Sequence, residues 1–239
     1  MNSQKFFFLG FTILSAIFLV SAAVIGHLLN IQSETVFVST DAQNVCIVVD
    51  AGHGGEDGGC VSSNGILEKD INLEVSKKVA EIINTMGYNA VLTRSQDKML
   101  YDMYGDNYKG RKKTYDLKNR LKFARENDAD MFVSIHMNKF PQSQYKGLQV
   151  YYSKNHANSE KLAQSIQDYC KQYLQSDNER SVKKADSKIF LLDRAEIPAV
   201  LVECGFLSNA EDTENLCDDE YRKKLGLVIA AAVFSHIES

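Results

Sequence analysis

Three apolar runs far apart in the chain each lead to a side chain that can bind a metal or move a proton. Cys46-Ile47-Val48-Val49-Asp50 precedes His53, Met131-Phe132-Val133-Ser134-Ile135 precedes His136, and Ala199-Val200-Leu201-Val202 precedes Glu203. Short runs rich in Val and Ile predict buried strands, and stretches with helical spacing lie between them. That alternation predicts an α/β fold: a single domain with a mainly parallel, mixed-edge twisted sheet and helices on both faces. In such sheets ligands bind outside the carboxyl ends of the strands. If the three runs are neighbours, their polar ends converge there.

The segments in between fit this architecture. After the loop Ala51 to Gly59, residues Ile71, Val75, Val79, Ile82 and Ile83 keep helical spacing, with Asp70 as the expected N-cap and Gly87 as the stop. Asn89 to Thr93 reads as a strand, Asp116 to Asn127 as a helix, Gly147 to Tyr152 as a strand suited to an edge, and Ser159 to Leu174 as an amphipathic helix. Ile189 to Leu192 reads as a short strand, Ser208-Asn209-Ala210-Glu211 as a capping box, and Glu220 to His236 as the closing helix. Ser95 to Lys113 is longer and more polar than most connections. A solvated loop is its plainer reading. A binding flap is the sharper one, because Tyr101, Tyr104 and Tyr108 sit beside Lys109, Arg111, Lys112 and Lys113.

Phe6 to Leu29 is almost wholly apolar, with Lys5 just before it and His27 its only ionisable side chain. It reads as an N-terminal apolar helix preceding the α/β domain, and at about 1.5 Å per residue it spans a hydrocarbon core of about 30 Å. A signal peptide usually has a shorter apolar core, although Ser21-Ala22-Ala23 offers a small-residue cleavage site. The expected organisation is a signal peptide or signal anchor over 1–29, a polar linker over 30–44 and a catalytic domain over 45–239. Residues 6–29, if uncleaved, would hold the chain in the membrane, and the domain works outside the cytoplasmic membrane either way. A formal net charge of −4 gives no basic face, which argues against a nucleic-acid partner. The 5 cysteines (Cys46, Cys60, Cys170, Cys204 and Cys217) match no zinc-ribbon or redox spacing. They fit buried thiols acting as small apolar residues, or a reducing setting.

Each candidate has a bland alternative. His53, within Asp50-Ala51-Gly52-His53-Gly54-Gly55, has room for a metal and a substrate but could equally be a solvated loop histidine. The loop lacks the Lys-Ser/Thr of a nucleotide-binding turn. Glu68, on the approach to the first predicted helix, would by itself only complement the helix dipole. His136 ends a buried strand, which leans towards function over a core histidine. Glu203 directly follows an apolar strand, where a carboxylate needs a partner or a raised pKa, and a raised pKa suits a general base. Two imidazoles and two carboxylates make a zinc hydrolase site: three ligands and one base.

These stretches together resemble the zinc-dependent N-acetylmuramoyl-L-alanine amidases of the amidase-3 family. The resemblance rests on Val48 to Gly55, Glu68-Lys69-Asp70-Ile71-Asn72-Leu73, Thr93-Arg94, Leu117 to Arg120, Ala129-Asp130, Ser134-Ile135-His136-Met137-Asn138 and Pro198 to Asn209, in the family's order over about residues 45 to 238. It implies one Zn2+ per chain on His53, Glu68 and His136, with Glu203 as the catalytic glutamate. Arg94, Arg120 and Asn138 match substrate-binding or supporting positions. Met137 departs from the family pattern, in which a small residue is common. The layout is most similar to germination-specific amidases that tailor spore cortex. That implies a peptidoglycan substrate, a location around the forespore, and room for a regulatory protein partner. Three rival readings stand beside it: a zinc exopeptidase on a related scaffold, a non-catalytic wall-binding module, and a cysteine hydrolase using Cys204 and His136.

Overall fold

A computed structural model of the protein describes residues 45–105 and 107–239; the expected apolar helix and linker fall in 1–44, outside the described residues. Among the described residues no helix is long and apolar enough to cross a membrane.

The six strands among the described residues are β1 (Cys46–Ala51), β2 (Asn89–Leu92), β3 (Met131–Asn138), β4 (Gln149–Tyr152), β5 (Lys183–Lys184) and β6 (Ala199–Phe206). They form one sheet in the order β2-β1-β3-β6-β4-β5. The first four in that order run parallel, whereas β4 is antiparallel to β6 and carries β5 beside it. β1 is buried along its whole length, as a central parallel strand covered on both faces must be.

Among the described residues six helices cover the sheet: α1 (Glu68–Thr85), α2 (Lys112–Glu126), α3 (Asn158–Tyr173), α4 (Phe190–Arg194), α5 (Ala210–Cys217) and α6 (Asp219–Ile237). On one face Ile71, Val75, Val79 and Ile83 of α1 pack with Leu162 and Ile166 of α3 and with Leu225, Ile229 and Val233 of α6. Gly226 lets α6 close on α1, because a Cβ there would lie 2.9 Å from Lys78 Cβ. On the other face Leu121 and Ala124 of α2 and Leu191 and Leu192 of α4 pack on Val48, Phe132 and Leu201. Strand alternation puts Asp50, Ser134, His136 and Glu203 on this second face, beyond its apolar patch.

The structure corrects several local expectations. Ile189 to Leu192 is not a strand, because α4 occupies Phe190–Arg194. Four apolar residues carry no period, and an Asp186 turn feeds the helix through Ile189 N to Asp186 O at 3.2 Å. β4 lies inside the sheet, because the two-residue β5 pairs with its outer edge. Asp70 does not cap α1. The helix starts at Glu68 because the preceding loop supplies acceptors, with Glu68 N to Cys60 O at 2.9 Å and Lys69 N to Gly58 O at 3.2 Å. Asn209, not Ser208, caps α5, accepting from Asp212 N. α2 begins at Lys112, one turn earlier than Asp116.

Candidate metal centre

The register of β3 and β6 pairs His136 with Glu203 on neighbouring parallel strands. β1 lies on the other side of β3, and its exit loop turns back over the sheet with His53 at φ 60°. Glu68, in the first turn of α1, reaches both histidines. His53 Nε2 lies 3.2 Å from Glu68 Oε1, and His136 Nδ1 lies 2.9 Å from the same oxygen. One donor atom from each of His53, Glu68 and His136 falls within 4.8 Å of the other two. Tetrahedral zinc with N and O ligands at about 2.1 Å sets those atoms roughly 3.4 Å apart. The three side chains fit such an ion in type, and the two donor separations to Glu68, 3.2 and 2.9 Å, lie close to that spacing.

The surroundings hold these side chains in place. Glu68 accepts from Cys60 N at 2.8 Å, Met137 N at 3.2 Å and Asn72 Nδ2 at 3.3 Å. Burial opposes its ionisation, but the two imidazoles outweigh burial and keep its carboxyl well below the usual range. His53 Nδ1 lies 3.0 Å from Asp57 Oδ2, close enough for an ion pair although not aligned as an N–H···O bond. Burial pulls the His53 pKa down, yet Asp57 and Glu68 together lift it to about 9. The face of the His136 ring rests on Gly52, where a Cβ would meet Cε1 and Nε2 at 2.3 Å. Only glycine allows that approach.

Glu203 stands apart from the trio in character. The residue is only partly buried, but its Oε2 is cut off from solvent and has no hydrogen-bond partner. Burial and the negative Glu68 raise its pKa to about 8. A carboxyl near that value can both take and return a proton at neutral pH. A cation among the three neighbouring donors would favour its charged form.

Arg94 and Arg120 are both buried, and neither lines the open cleft. They satisfy the carbonyls of the His53 loop, which leave the sheet ladder and need donors. Arg94 donates from Nε to Ala51 O at 2.9 Å and from Nη2 to Gly52 O at 2.9 Å. Arg120 donates from Nη1 to Ala51 O and from Nη2 to His53 O, both at 2.7 Å. Its charge is balanced by Asp50 at 2.6 Å and Asp116 at 2.8 Å. Asp50 also accepts from Thr93 Oγ1 at 2.7 Å and Ser134 Oγ at 2.6 Å, tying β1 to β2 and β3. Asn138 lines a cleft of about 260 Å³ beside the centre, with its Oδ1 held by Lys139 N at 2.8 Å.

Sequence reading missed Asp50, Asp57, Asn72 and Asp116 as supports. Two of them carried a helical spacing signal: Asn72 follows Glu68 by four residues, and Asp116 precedes Arg120 by four. Ser95 to Lys113 is not a free flap along its whole length. Leu100 is buried, Asp97 pairs with Lys69 at 2.6 Å, and Lys113 pairs with Asp57 at 3.2 Å. All 5 cysteines are unpaired. Cys204 is buried on the opposite face of the sheet, and burial pushes its thiol well above the usual range, so it offers no nucleophile.

A model of the N-acetylmuramoyl-L-alanine amidase family matches residues 47–235, the stretch that holds every residue of this centre. The chain belongs to that family. It is 33% identical over 193 residues to the germination-specific N-acetylmuramoyl-L-alanine amidase of Bacillus subtilis, covering 80% of this chain and 77% of that one. Its fold matches the CwlD amidase of Clostridioides difficile, solved in complex with the GerS lipoprotein, at a TM-score of 0.76 and 39% identity. That match covers 82% of this chain and 99% of the CwlD chain. AmiC2 of Nostoc punctiforme matches at a TM-score of 0.69 and 30% identity, over 82% of this chain and 98% of that chain. The expected single α/β domain and amidase family are borne out.

Proposed function

We propose that this amidase is a one-zinc enzyme in which His53, Glu68 and His136 hold the ion, Glu203 carries the proton, and peptidoglycan outside the cytoplasmic membrane is the substrate. The reading rests on one observation: three donor atoms within 4.8 Å of one another beside a carboxyl oxygen that has no other partner. Zinc, when bound, supplies Lewis acidity for the amide carbonyl and for water.

The chain's own residues supply the rest. Glu203 accepts a proton as water adds to the lactyl carbonyl carbon of muramic acid. It then returns that proton to the departing nitrogen of L-Ala. The C–O bond forms, the C–N bond breaks, and the products are a free muramic acid carboxylate and a stem peptide. Asp57 orients His53, and Arg94 and Arg120 fix the loop that carries it; these are positioning roles.

The germination-specific relative and the likeness to CwlD support a role in spore cortex and a lipoprotein-type regulatory partner. Residues 45–239 are the catalytic domain in this reading, and the apolar 6–29 stretch supplies export or anchoring. The test is mass spectrometry of purified wall fragments incubated with enzyme, with and without chelator. Release of stem peptides from glycan should stop with chelator. Glu203→Ala should keep zinc and lose turnover, and His136→Ala should lose both. Turnover retained by Glu203→Ala would remove that residue from the chemistry.

A further inference from the structure

We infer that Arg180 determines substrate specificity by holding a carboxylate on the peptide side of the scissile amide; this deepens the amidase reading and rests on it. Glu203 lies directly across the β4–β6 pair from Gln149. Gln149 is buried, and its Oε1 accepts from Arg180 Nη1 at 3.1 Å, while its amide donates to Ser181 O. Arg180 Nε donates to Lys146 O at 2.8 Å. The guanidinium lies 4.5 Å from the centroid of the Phe206 ring and 5.8 Å from that of Tyr145.

The guanidinium is thus oriented from three sides, and among the described residues Nη2 has no acceptor. Among the described residues no carboxylate lies within 4.0 Å of it, unlike buried Arg120 with two. An arginine stacked on aromatic rings and fixed through Nε and Nη1 is preorganised to receive an anion. It lines the same cleft of about 260 Å³ as Asn138 and Phe140, and exposed Lys183 adds a second positive charge to that wall.

The placement suits the reaction. Neighbouring strands lie about 4.8 Å apart, so Gln149 is one strand spacing from Glu203 and Arg180 one hydrogen bond beyond. An extended peptide advances about 3.3–3.6 Å per residue. A substrate with its scissile carbonyl at Glu203 and its peptide laid across β4 brings its second peptide residue to the Arg180 wall. In a peptidoglycan stem that residue carries a free carboxylate or, in amidated walls, a carboxamide. Arginine distinguishes the two, because a charge-assisted pair is roughly twice as strong as a neutral one.

The experiment compares zinc-loaded parent, Arg180→Met and Arg180→Lys on two muropeptide fragments that differ only in carboxylate or carboxamide at the second peptide residue. The parent should prefer the carboxylate. Arg180→Met should raise KM for it at least about tenfold, the lower end for a charged hydrogen bond, with the loss falling on KM rather than kcat. The acid-to-amide ratio should collapse towards one in Arg180→Met and persist in part in Arg180→Lys. A purely structural role would lower both substrates equally. A parent that cleaves both without preference, or an Arg180→Met that keeps the preference, overturns the assignment and leaves the amidase reading standing. A parent that cleaves neither overturns both.

Discussion

Gly52→Ala should remove the metal without removing a ligand or a charge. The added Cβ would lie 2.3 Å from His136 Cε1 and Nε2 and 2.7 Å from Cδ2, so it strikes the ring face. Ordinary carbon contacts need about 3.5 Å, so one partner must retreat by about 1.2 Å. The Gly52 backbone is pinned: its N–H donates to Ile135 O at 3.1 Å, and its carbonyl accepts from Arg94 Nη2 at 2.9 Å and Asn72 Nδ2 at 3.1 Å. The imidazole therefore moves, and its 2.9 Å contact with Glu68 opens. Metal sites tolerate about 0.2 Å in ligand distance, so a shift of this size abolishes the bond. Displacing a ligand should exceed the 10- to 100-fold loss typical of outer partners. Zinc affinity should fall at least about 100-fold, or about 2.7 kcal/mol. The assay is competition with a chromogenic chelator, alongside a thermal melt of the metal-free protein. Gly58→Ala, where the new Cβ has only Leu67 Cδ2 at 3.5 Å, is the matched control. Equal zinc affinity in the two variants would refute the reasoning.

Two further outcomes follow from the buried charges. Arg120→Met should cost about 3–5 kcal/mol because it strands Asp50 and Asp116. Asp50 has a folded pKa below its unfolded value: burial works against ionisation, and Arg120, Ser134 and Thr93 more than compensate. Its stabilisation is therefore full above about pH 4 and is lost as pH falls through the folded pKa. The gap between parent and variant in urea melts should narrow in acid; a gap that widens would count against the pairing. His53, with its pKa near 9 in the metal-free protein, must lose a proton to bind zinc. Calorimetry at pH 7 in two buffers of different ionisation heat should register at least one proton released per zinc, with apparent affinity rising towards pH 9. Binding without proton release would contradict the His53 environment described above.

Much of the centre was legible because strand ends are positioned by the sheet. His136 and Glu203 follow apolar runs, the first broken only by Ser134, and parallel pairing of those runs puts them side by side. Glu68 was harder to read, since its own sequence context favours an ordinary helix-dipole residue. Only the docking of α1 against β1 and β3 brings it to the histidines. The arginines match the family, but their direction was not legible: both turn inward to backbone carbonyls, a demand set by the loop's departure from the ladder. α4 escaped detection because four apolar residues have no period, and β5 because two exposed lysines carry no strand pattern. The link from Glu203 through Gln149 to Arg180 depends on the antiparallel register of β4, which sequence spacing does not encode.

Anomalous diffraction at the zinc absorption edge, on crystals grown with the metal, tests the central claim most directly. A single peak within about 2.0–2.2 Å of His53 Nε2, a Glu68 carboxyl oxygen and His136 Nδ1 is the expected result. A fully ordered centre with no peak between those atoms, or a peak held by other side chains, would contradict it.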